Sequence, residues 1–271
     1  MSITEILTLF SLGFFAAVPS SMAGLGGGFL IVPILILVHQ LSSQKAVAIS
    51  VAAMLGTTLS ATIAYAKQRR IDYKLGLLYD VLDLPGVTIG AYLTTLLPSN
   101  LLRTIVGLFI MSISILLIVR KESNSTPRVC GTQNGRGWKR SKIDFSGKTF
   151  EYVIRRPELA LLSSLASGLV TGLAGLGGGI TDTTTMILLG VPPHIAVASS
   201  AFAMALTNGV GVLMHVMLSN IMVEYALPIT IGTILGAQVG SSLARRLKGK
   251  TLKMIICSAA FLMGIRLILP F

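Results

Sequence analysis

The chain has 271 residues, of which 53% are hydrophobic and 12% are charged, and its mean hydropathy is +0.81. A water-soluble domain of this size does not need so much apolar surface, so the composition excludes an ordinary soluble enzyme or binding domain. The formal net charge of +12 would suit a nucleic-acid-binding protein, but the lysines and arginines lie in loops instead of along one folded face. Their placement indicates membrane topology, and no nucleic-acid partner is predicted.

The chain starts with MSITEILTLF, which carries Glu5 and no basic residue, so this stretch is predicted to belong to the fold and not to a cleaved signal peptide. Six apolar runs follow, each about long enough to cross a hydrocarbon layer of ~30 Å. They occupy residues 44–66, 75–97, 101–119, 195–218, 225–243 and 254–269. The predicted class is an all-α, polytopic integral protein of the cell membrane. Cys130 and Cys257 differ too much in surroundings to form a disulfide or a metal pair.

The sequence GLGGG occurs twice, at residues 24–28 and 175–179. Glycine costs about 1 kcal/mol per residue in a helix, so each motif is predicted to break a helix inside the bilayer. The backbone N–H groups that are freed there survive only around a cavity lined by protein. GxxxG-type helix packing by the same glycines is the alternative. Packing is the preferred interpretation for the glycines of the continuous helices, namely Gly86, Gly90, Gly232, Gly236 and Gly240.

The two halves of the chain repeat each other. The GLGGG motifs are offset by 151 residues and later pairs, such as Ser50 with Ser200, by 150, so a single gap separates two copies of about eighty residues. The predicted domains are a first transmembrane repeat over 1–119, a basic cytoplasmic linker over 120–156 and a second, inverted transmembrane repeat over 157–271.

The inversion is predicted from charge. Of the 22 lysines and arginines, 19 fall in residues 67–74, 120–156 and 245–253. The basic loop at 67–74 has the repeat partner 219–224, which carries no basic residue, so equivalent loops should lie on opposite sides of the membrane. Each repeat is expected to contain one helical hairpin broken at GLGGG, followed by three transmembrane helices, with both chain termini outside. Inverted repeats of this kind are typical of secondary transporters.

The short helix that each GLGGG motif opens is predicted to bind an anion at its N-terminus, where N–H groups and the helix dipole point at the ligand. Nearby hydroxyl and amide groups could hydrogen-bond the same oxyanion, although bonds to their own or a neighbouring helix are the alternative. The candidate substrate-binding residues are Gly26, Gly27, Gly28, Ser50, Thr57, Gly177, Gly178, Gly179, Thr181, Ser200, Thr207 and Asn208.

Asp182 follows the second motif, in a stretch where the first repeat is apolar. An ionisable group inside a membrane is costly, so Asp182 is the candidate coupling residue, with a proton or a sodium ion as the coupling ion. Capping of the short helix is an equally open interpretation. Asp80 and Asp83 are expected at the membrane interface, paired with Lys74 or water. The three histidines have no metal-binding spacing, so no metal or cofactor is predicted.

These residues resemble a known family. GLGGGFLIVPIL with AVAIS, and GLGGGITDTTTMILLG with AVASS, are similar to the paired signatures of the TauE/SafE sulfite exporter family of membrane transporters. The resemblance covers nearly all of the chain except the central linker, and Thr184 stands where the first repeat has Pro33. It implies secondary transport of a small sulfur-containing oxyanion, such as sulfite or an organosulfonate, with the glycine loops, Ser50 and Ser200 lining the route by which access alternates. A passive anion channel stays open as an alternative, and an intramembrane enzyme is a weaker one.

Overall fold

The structure is a computed structural model that describes residues 2–22, 28–119, 138–143, 147, 149–154, 157–243 and 249–269. Within these residues the chain forms ten helices and one two-stranded sheet. The helices are α1 (Ile3–Met22), α2 (Gly28–Leu37), α3 (Ser43–Lys67), α4 (Tyr73–Leu96), α5 (Ser99–Val119), α6 (Pro157–Ala174), α7 (Gly179–Leu188), α8 (Pro193–Met217), α9 (Val223–Leu243) and α10 (Gly249–Ile268). The strands β1 (Trp138–Ile143) and β2 (Thr149–Ile154) lie between α5 and α6.

The helices are apolar on both their inner and their outer faces. Two of those that the structure describes, α3 and α8, are long and apolar enough to cross a membrane by length and composition. Large apolar side chains are exposed along the outside of the bundle, among them Phe15, Ile63, Leu77, Ile89 and Leu213. A hydrocarbon solvent accommodates such a surface, whereas water does not.

The order of elements in α1–α5 is repeated in α6–α10. In each set a long helix is followed by a ten-residue helix and then by three further helices. The turns after α3 and α8 share an unusual backbone conformation, because Arg69 and Ser219, 150 residues apart, have φ of +55° and +56°. The two short helices have equal length although α2 contains Pro33 and α7 carries Thr184 at the matching place.

The two sets of helices exchange partners. α1 packs on α9, and its equivalent α6 packs on α4, which is the equivalent of α9. α3 and α8 pack on each other in opposite directions: Thr62 donates to the Ala201 carbonyl, and Asn208 contacts Thr58. The equivalent helices α3 and α8 are thus antiparallel, and the two sets form one interlocked bundle instead of two lobes.

Glycines line the closest helix contacts. A β-carbon on Gly86 would lie 2.7 Å from the Leu165 carbonyl oxygen, and one on Gly90 would lie 2.6 Å from that of Leu169. The equivalent contact places Gly232 and Gly236 of α9 against the backbone of α1. The prediction that these four glycines serve helix packing is therefore confirmed, since any side chain would push the backbones apart.

The linker contains a β-hairpin that was not predicted from the sequence. β1 and β2 pair antiparallel, with Trp138 opposite Ile154. The buried face of β2, formed by Tyr152 and Ile154, packs with Leu75, Met186 and Leu189. The hairpin therefore covers the end of α7, while the rest of the described chain is helical.

Candidate functional site

The second glycine break lies between α6 and α7. α6 ends at Ala174, and Gly175 and Gly177 have φ of +64° and +74°, a backbone conformation that residues with a side chain rarely adopt. α7 begins at Gly179, and its N-cap residue is Gly178, which has no side chain to cap the helix. The N-cap residue therefore supplies no side-chain acceptor to the first N–H groups of α7.

Gly175 of the second glycine break lies close to Gly28, the last glycine of the first GLGGG motif. The Ser50 hydroxyl of α3 donates to the Gly175 carbonyl oxygen at 2.7 Å and lies 3.4 Å from the carbonyl oxygen of Gly28. A β-carbon on Gly28 would lie only 2.5 Å from the same Gly175 oxygen. Glycine is therefore required for this approach. Gly26 and Gly27 lie outside the described residues, so Gly28 is the described substrate-binding candidate of the first motif.

Two methionines at equivalent positions flank the breaks. A β-carbon on Gly177 would lie 2.9 Å from Met54 Sδ and 3.3 Å from Met204 Cε, and Gly179 faces the Met204 sulfur. Met54 and Met204 are both buried. Their flexible thioethers fill the space beside the glycines in this conformation.

Ser200 and Asn208 lie on α8, and both are buried. In the described part of the chain the Ser200 hydroxyl has no hydrogen-bond partner, and neither has the Asn208 side-chain oxygen. The Asn208 side-chain nitrogen donates to Thr58 Oγ1 at 3.4 Å. Both residues therefore retain hydrogen-bonding capacity in the interior, which is uncommon for buried polar atoms.

Two other candidate substrate-binding residues, Thr57 and Thr181, do not have side chains that are free to bind a substrate beside the buried glycine break. The Thr57 hydroxyl donates to the carbonyl oxygen of Met54 in its own helix at 2.9 Å, the alternative that the sequence left open. Thr181 is exposed, so its side chain lies apart from the buried break and not beside it as expected. The reason is helix periodicity, because the position next to Thr181, Asp182, is the one that turns inward.

Three buried aspartates from both halves of the chain form what we call the acidic cluster: Asp80 and Asp83 of α4, and Asp182 of α7. Thr207 Oγ1 lies 2.8 Å from Asp83 Oδ2 and 3.3 Å from Asp80 Oδ1. Asp182 is fully buried, and its carboxyl group lies close enough to Asp83 and Asp80 to interact with their charges. The hydroxyl of Thr207, a residue predicted to bind substrate, therefore hydrogen-bonds to the aspartates of this cluster.

The expectation that Asp80 and Asp83 lie at the interface was wrong. They are 3% and 1% exposed, and they sit on the face of α4 that packs against α6 and α8. The helical spacing of Gly76, Asp83 and Gly90 was the available signal, since it places the aspartates on the glycine-lined contact face. The sequence did not show what covers that face.

Capping by Asp182 is not observed. Neither carboxylate oxygen of Asp182 has a hydrogen-bond partner among the described residues. Ser167 of α6, whose hydroxyl is likewise unpartnered, lies beside it: both side chains surround the Cα of Gly178, where a β-carbon would lie 3.2 Å from Asp182 Oδ2 and would collide with Ser167 Oγ. The Asp182 carboxylate thus lies beside Gly178 at the N-terminus of α7, but it does not hydrogen-bond to the N–H groups there.

The linker hairpin is attached through Asp72, the N-cap of α4, whose side chain accepts from the Leu75 N–H. Arg140 of β1 donates to both Asp72 oxygens, at 2.9 Å through Nε, and the Tyr152 hydroxyl of β2 donates at 2.6 Å. Burial alone would raise the pKa of Asp72, but the hydrogen bonds from Arg140 and Tyr152 and the Arg140 charge outweigh it and lower that pKa. The hairpin is thereby joined to the end of α4 by a charge-assisted contact.

We expect Asp72→Asn to weaken this attachment by about 2 kcal/mol, the usual contribution of hydrogen bonds to a charged group. In the unaltered protein the contribution of Asp72 is present above its ordinary pKa and is lost as the pH falls through the lowered folded pKa. The hairpin should therefore stay attached at neutral pH and loosen only in strong acid. Trp138, the single tryptophan, lies 4.9 Å from the Arg140 guanidinium, so its fluorescence reports the attachment.

The matched control is Glu151→Gln, which changes an exposed acid of the same hairpin. Its tryptophan fluorescence during acid and urea titration should follow that of the unaltered protein. Identical titrations for Asp72→Asn would show that the contact does not hold the hairpin.

A bundle of apolar helices, duplicated in element order and interrupted between α6 and α7 at buried glycines, defines a polytopic helical membrane protein. The chain belongs to the Sulfite exporter TauE/SafE family, whose profile it matches over residues 9–267. Several relatives of the chain are named as probable membrane transporters. These names accord with a non-enzymatic role.

Individual relatives show how far the similarity extends. The chain is 31% identical over 272 residues to the Probable membrane transporter protein YunE of Bacillus subtilis, covering 97% of each chain. It is 21% identical to the Probable membrane transporter protein MJ0441 of Methanocaldococcus jannaschii, over 96% of this chain and 94% of that one. It is also 32% identical over 108 residues to the Sulfite exporter TauE/SafE family protein 3 of Arabidopsis thaliana, covering 38% and 23% of the two chains. No solved structure matches the chain significantly.

Proposed function

We propose that this protein is a secondary transporter of a small sulfur-containing oxyanion, such as sulfite or an organosulfonate, and that access alternates around the paired GLGGG segments. The observation that carries the proposal is that Ser50 contacts both Gly28 of the first GLGGG motif and Gly175 of the second. A site made from both repeats at mid-membrane is the arrangement in which a movement of one repeat exposes the site to alternate sides.

The chemistry of the lining supports an anionic substrate. The N-terminus of α7 lacks a side-chain cap, and the Ser200 hydroxyl is buried without a partner in the described chain. Donors of this kind suit sulfonate or sulfite oxygens, which accept several hydrogen bonds. The sulfur-containing substrate class itself rests on the family, since one relative bears the name of sulfite exporter.

The test is counterflow in proteoliposomes. Vesicles loaded with unlabelled sulfite should transiently accumulate labelled sulfite above its external concentration, because a carrier exchanges one anion for another across the membrane. Equilibration without this overshoot would indicate a passive anion channel. The same assay with taurine, isethionate and sulfate in competition ranks the substrates within the class.

We further propose that the two repeats have inverted topology in the cell membrane, with the linker in the cytoplasm and the termini outside. The antiparallel packing of α3 on α8 and the 19 of 22 basic residues in three loops support this orientation. α3 and α8 would then cross the membrane in opposite directions.

Arg69 and Ser219 provide a direct test of the inversion. They are exposed, lie 150 residues apart and have nearly identical backbone conformations in equivalent turns. With Cys130 and Cys257 replaced, single cysteines at these two positions should react with an impermeant maleimide from opposite sides of the membrane. Reaction of both from the same side would exclude the inverted orientation.

A further inference from the structure

The acidic cluster lies where α4 packs on α6, and it has no counterpart at the equivalent interface between α9 and α1. With the offset of 150, Asp80 and Asp83 correspond to Thr230 and Thr233 of α9. The Thr233 hydroxyl donates to the carbonyl oxygens of Thr230 and Ala53, at 2.9 and 3.2 Å, so it is satisfied by backbone. The same helix packing is thus formed elsewhere in this molecule without any acid, and the cluster is not a requirement of the fold.

The remaining members follow the same pattern. With the offset of 151, Asp182 corresponds to Ile31 and Ser167 corresponds to Ala16, both of which are buried and apolar. The correspondence is structural as well, because Gly86 contacts Leu165 as Gly236 contacts Phe14, the equivalent pair. One interface of the bundle therefore carries no acid, and its equivalent carries three carboxyl groups and has the Ser167 hydroxyl in place of the Ala16 side chain.

The cluster is incompletely hydrogen-bonded. Within the described chain, Asp182 has no partner on either oxygen, and Asp80 and Asp83 each have one oxygen without a partner. Ser167 is fully buried, and its hydroxyl is the hydrogen-bonding group that faces both Asp182 and Asp83. Thr207 has one proton to donate, and both Asp80 and Asp83 are within its reach. Buried polar atoms left open in this way indicate a ligand that the groups share.

The charges identify that ligand as a cation. The carboxyl groups of Asp80, Asp83 and Asp182 are close enough for their charges to interact with one another. The other titratable groups of the packed helices are Tyr79, which faces Asp182, and His215, which lies farther along α8. Three ionised carboxylates cannot remain together in a dry interior, because each is desolvated and repels the others.

We propose that Asp80, Asp83 and Asp182, with Ser167 and Thr207, form a proton-binding site that couples transport of the anion to the proton gradient. Among the described residues no three acidic, histidine or cysteine side chains are grouped so as to hold a metal ion, so we assign the site to protonation of individual carboxyl groups and not to a metal cation held by all three. Because the role in coupling rests on the proposed transport function, the protonation itself is tested separately.

The position of Asp182 gives the sense of the coupling. Its carboxylate lies beside Gly178, at the N-terminus of α7 where the anion is proposed to bind. An ionised Asp182 would repel the anion, and a protonated one would not. Proton and anion should therefore bind together, each raising the affinity for the other by the same factor. Transport then runs as symport, with accumulation on the side that is more alkaline.

The first experiment needs no substrate. The infrared spectrum of the purified protein at neutral pH should contain the carbonyl stretch of a protonated carboxyl group. This band should shift in D₂O, and it should be weaker in Asp83→Asn. Glu158→Gln, which alters an exposed acid at the start of α6, should leave this band unchanged. Absence of the band in the unaltered protein, or its replacement by a sodium-dependent carboxylate signal, would overturn the proton assignment.

The second experiment uses labelled sulfite in proteoliposomes. A gradient that is acidic outside should drive accumulation in the unaltered protein and in Glu158→Gln, and this accumulation should be lost in Asp83→Asn. Accumulation driven by a sodium gradient at uniform pH, or undiminished accumulation in Asp83→Asn, would overturn the coupling role. If no sulfite moves at all while the carboxyl band is present, the protonated site stands and the proposed substrate fails.

Discussion

Gly178→Leu is expected to abolish sulfite exchange while the protein remains folded. Gly178 precedes the first residue of α7, and a β-carbon there would collide with Ser167 Oγ and lie 3.2 Å from Asp182 Oδ2. A leucine side chain would therefore occupy the place where an anion approaches the backbone N–H groups. We expect the same loss for Gly27→Leu, which changes the equivalent position of the first motif outside the described residues.

The matched control for Gly178→Leu uses a glycine with free space around it. A β-carbon on Gly209 of α8 would meet only Leu55 Cδ1, at 3.9 Å. Gly209→Ala should therefore exchange sulfite normally and gain up to about 1 kcal/mol in helix stability, whereas Gly178→Ala should already exchange more slowly. Size-exclusion chromatography in detergent establishes folding. Unchanged substrate affinity in both leucine variants would return the GLGGG glycines to a packing role.

Asp182→Asn is expected to lose accumulation driven by a gradient while anion exchange continues. Only the coupled step requires the side chain to gain and lose charge, and asparagine remains neutral throughout. Asparagine is nearly isosteric with aspartate, so packing against Ser167 should be preserved. Proteoliposomes made from one preparation allow both measurements, with and without the gradient.

The competing interpretation of Asp182 makes a different prediction. Asparagine is as good a cap as aspartate, so a residue that served only as a cap would be replaced without loss of accumulation. The absence of any hydrogen-bond partner for its carboxylate among the described residues argues against that role. Normal accumulation by Asp182→Asn would nevertheless exclude coupling through this residue.

Much of the fold follows from local patterns in the sequence. The apolar runs placed the long helices, because a membrane-crossing helix must be apolar over about twenty residues. The GLGGG motif placed the break that is observed between Ala174 and Gly179, since glycine disfavours a helix wherever it occurs. The packing glycines of α4 and α9 were also predictable, because such pairs recur at helical spacing.

The hairpin in the linker was not predictable in the same way. Its strands have the sequences WKRSKI and TFEYVI, in which polar and apolar residues are mixed. The many basic residues of the linker made it look like a simple charged connection. The contacts that stabilise the hairpin come from residues far away in the sequence. Tyr152 packs against helices that precede and follow the hairpin, and Arg140 pairs with Asp72, 68 residues earlier. A short two-stranded hairpin is marginal alone, so its formation depends on contacts that no local pattern encodes.

The sequence by itself determined that the chain is a duplicated, helical membrane protein with two GLGGG motifs, because hydropathy, glycine spacing and repeat offset are properties of the chain alone. Only the tertiary structure decided how the halves interlock, with α1 on α9 and α6 on α4, and which polar residues meet. Asp80 and Asp83 looked interfacial in the sequence and lie in the interior beside Asp182. Burial and the proximity of charges depend on residues a hundred positions away, and these contacts exist only once the helices have packed.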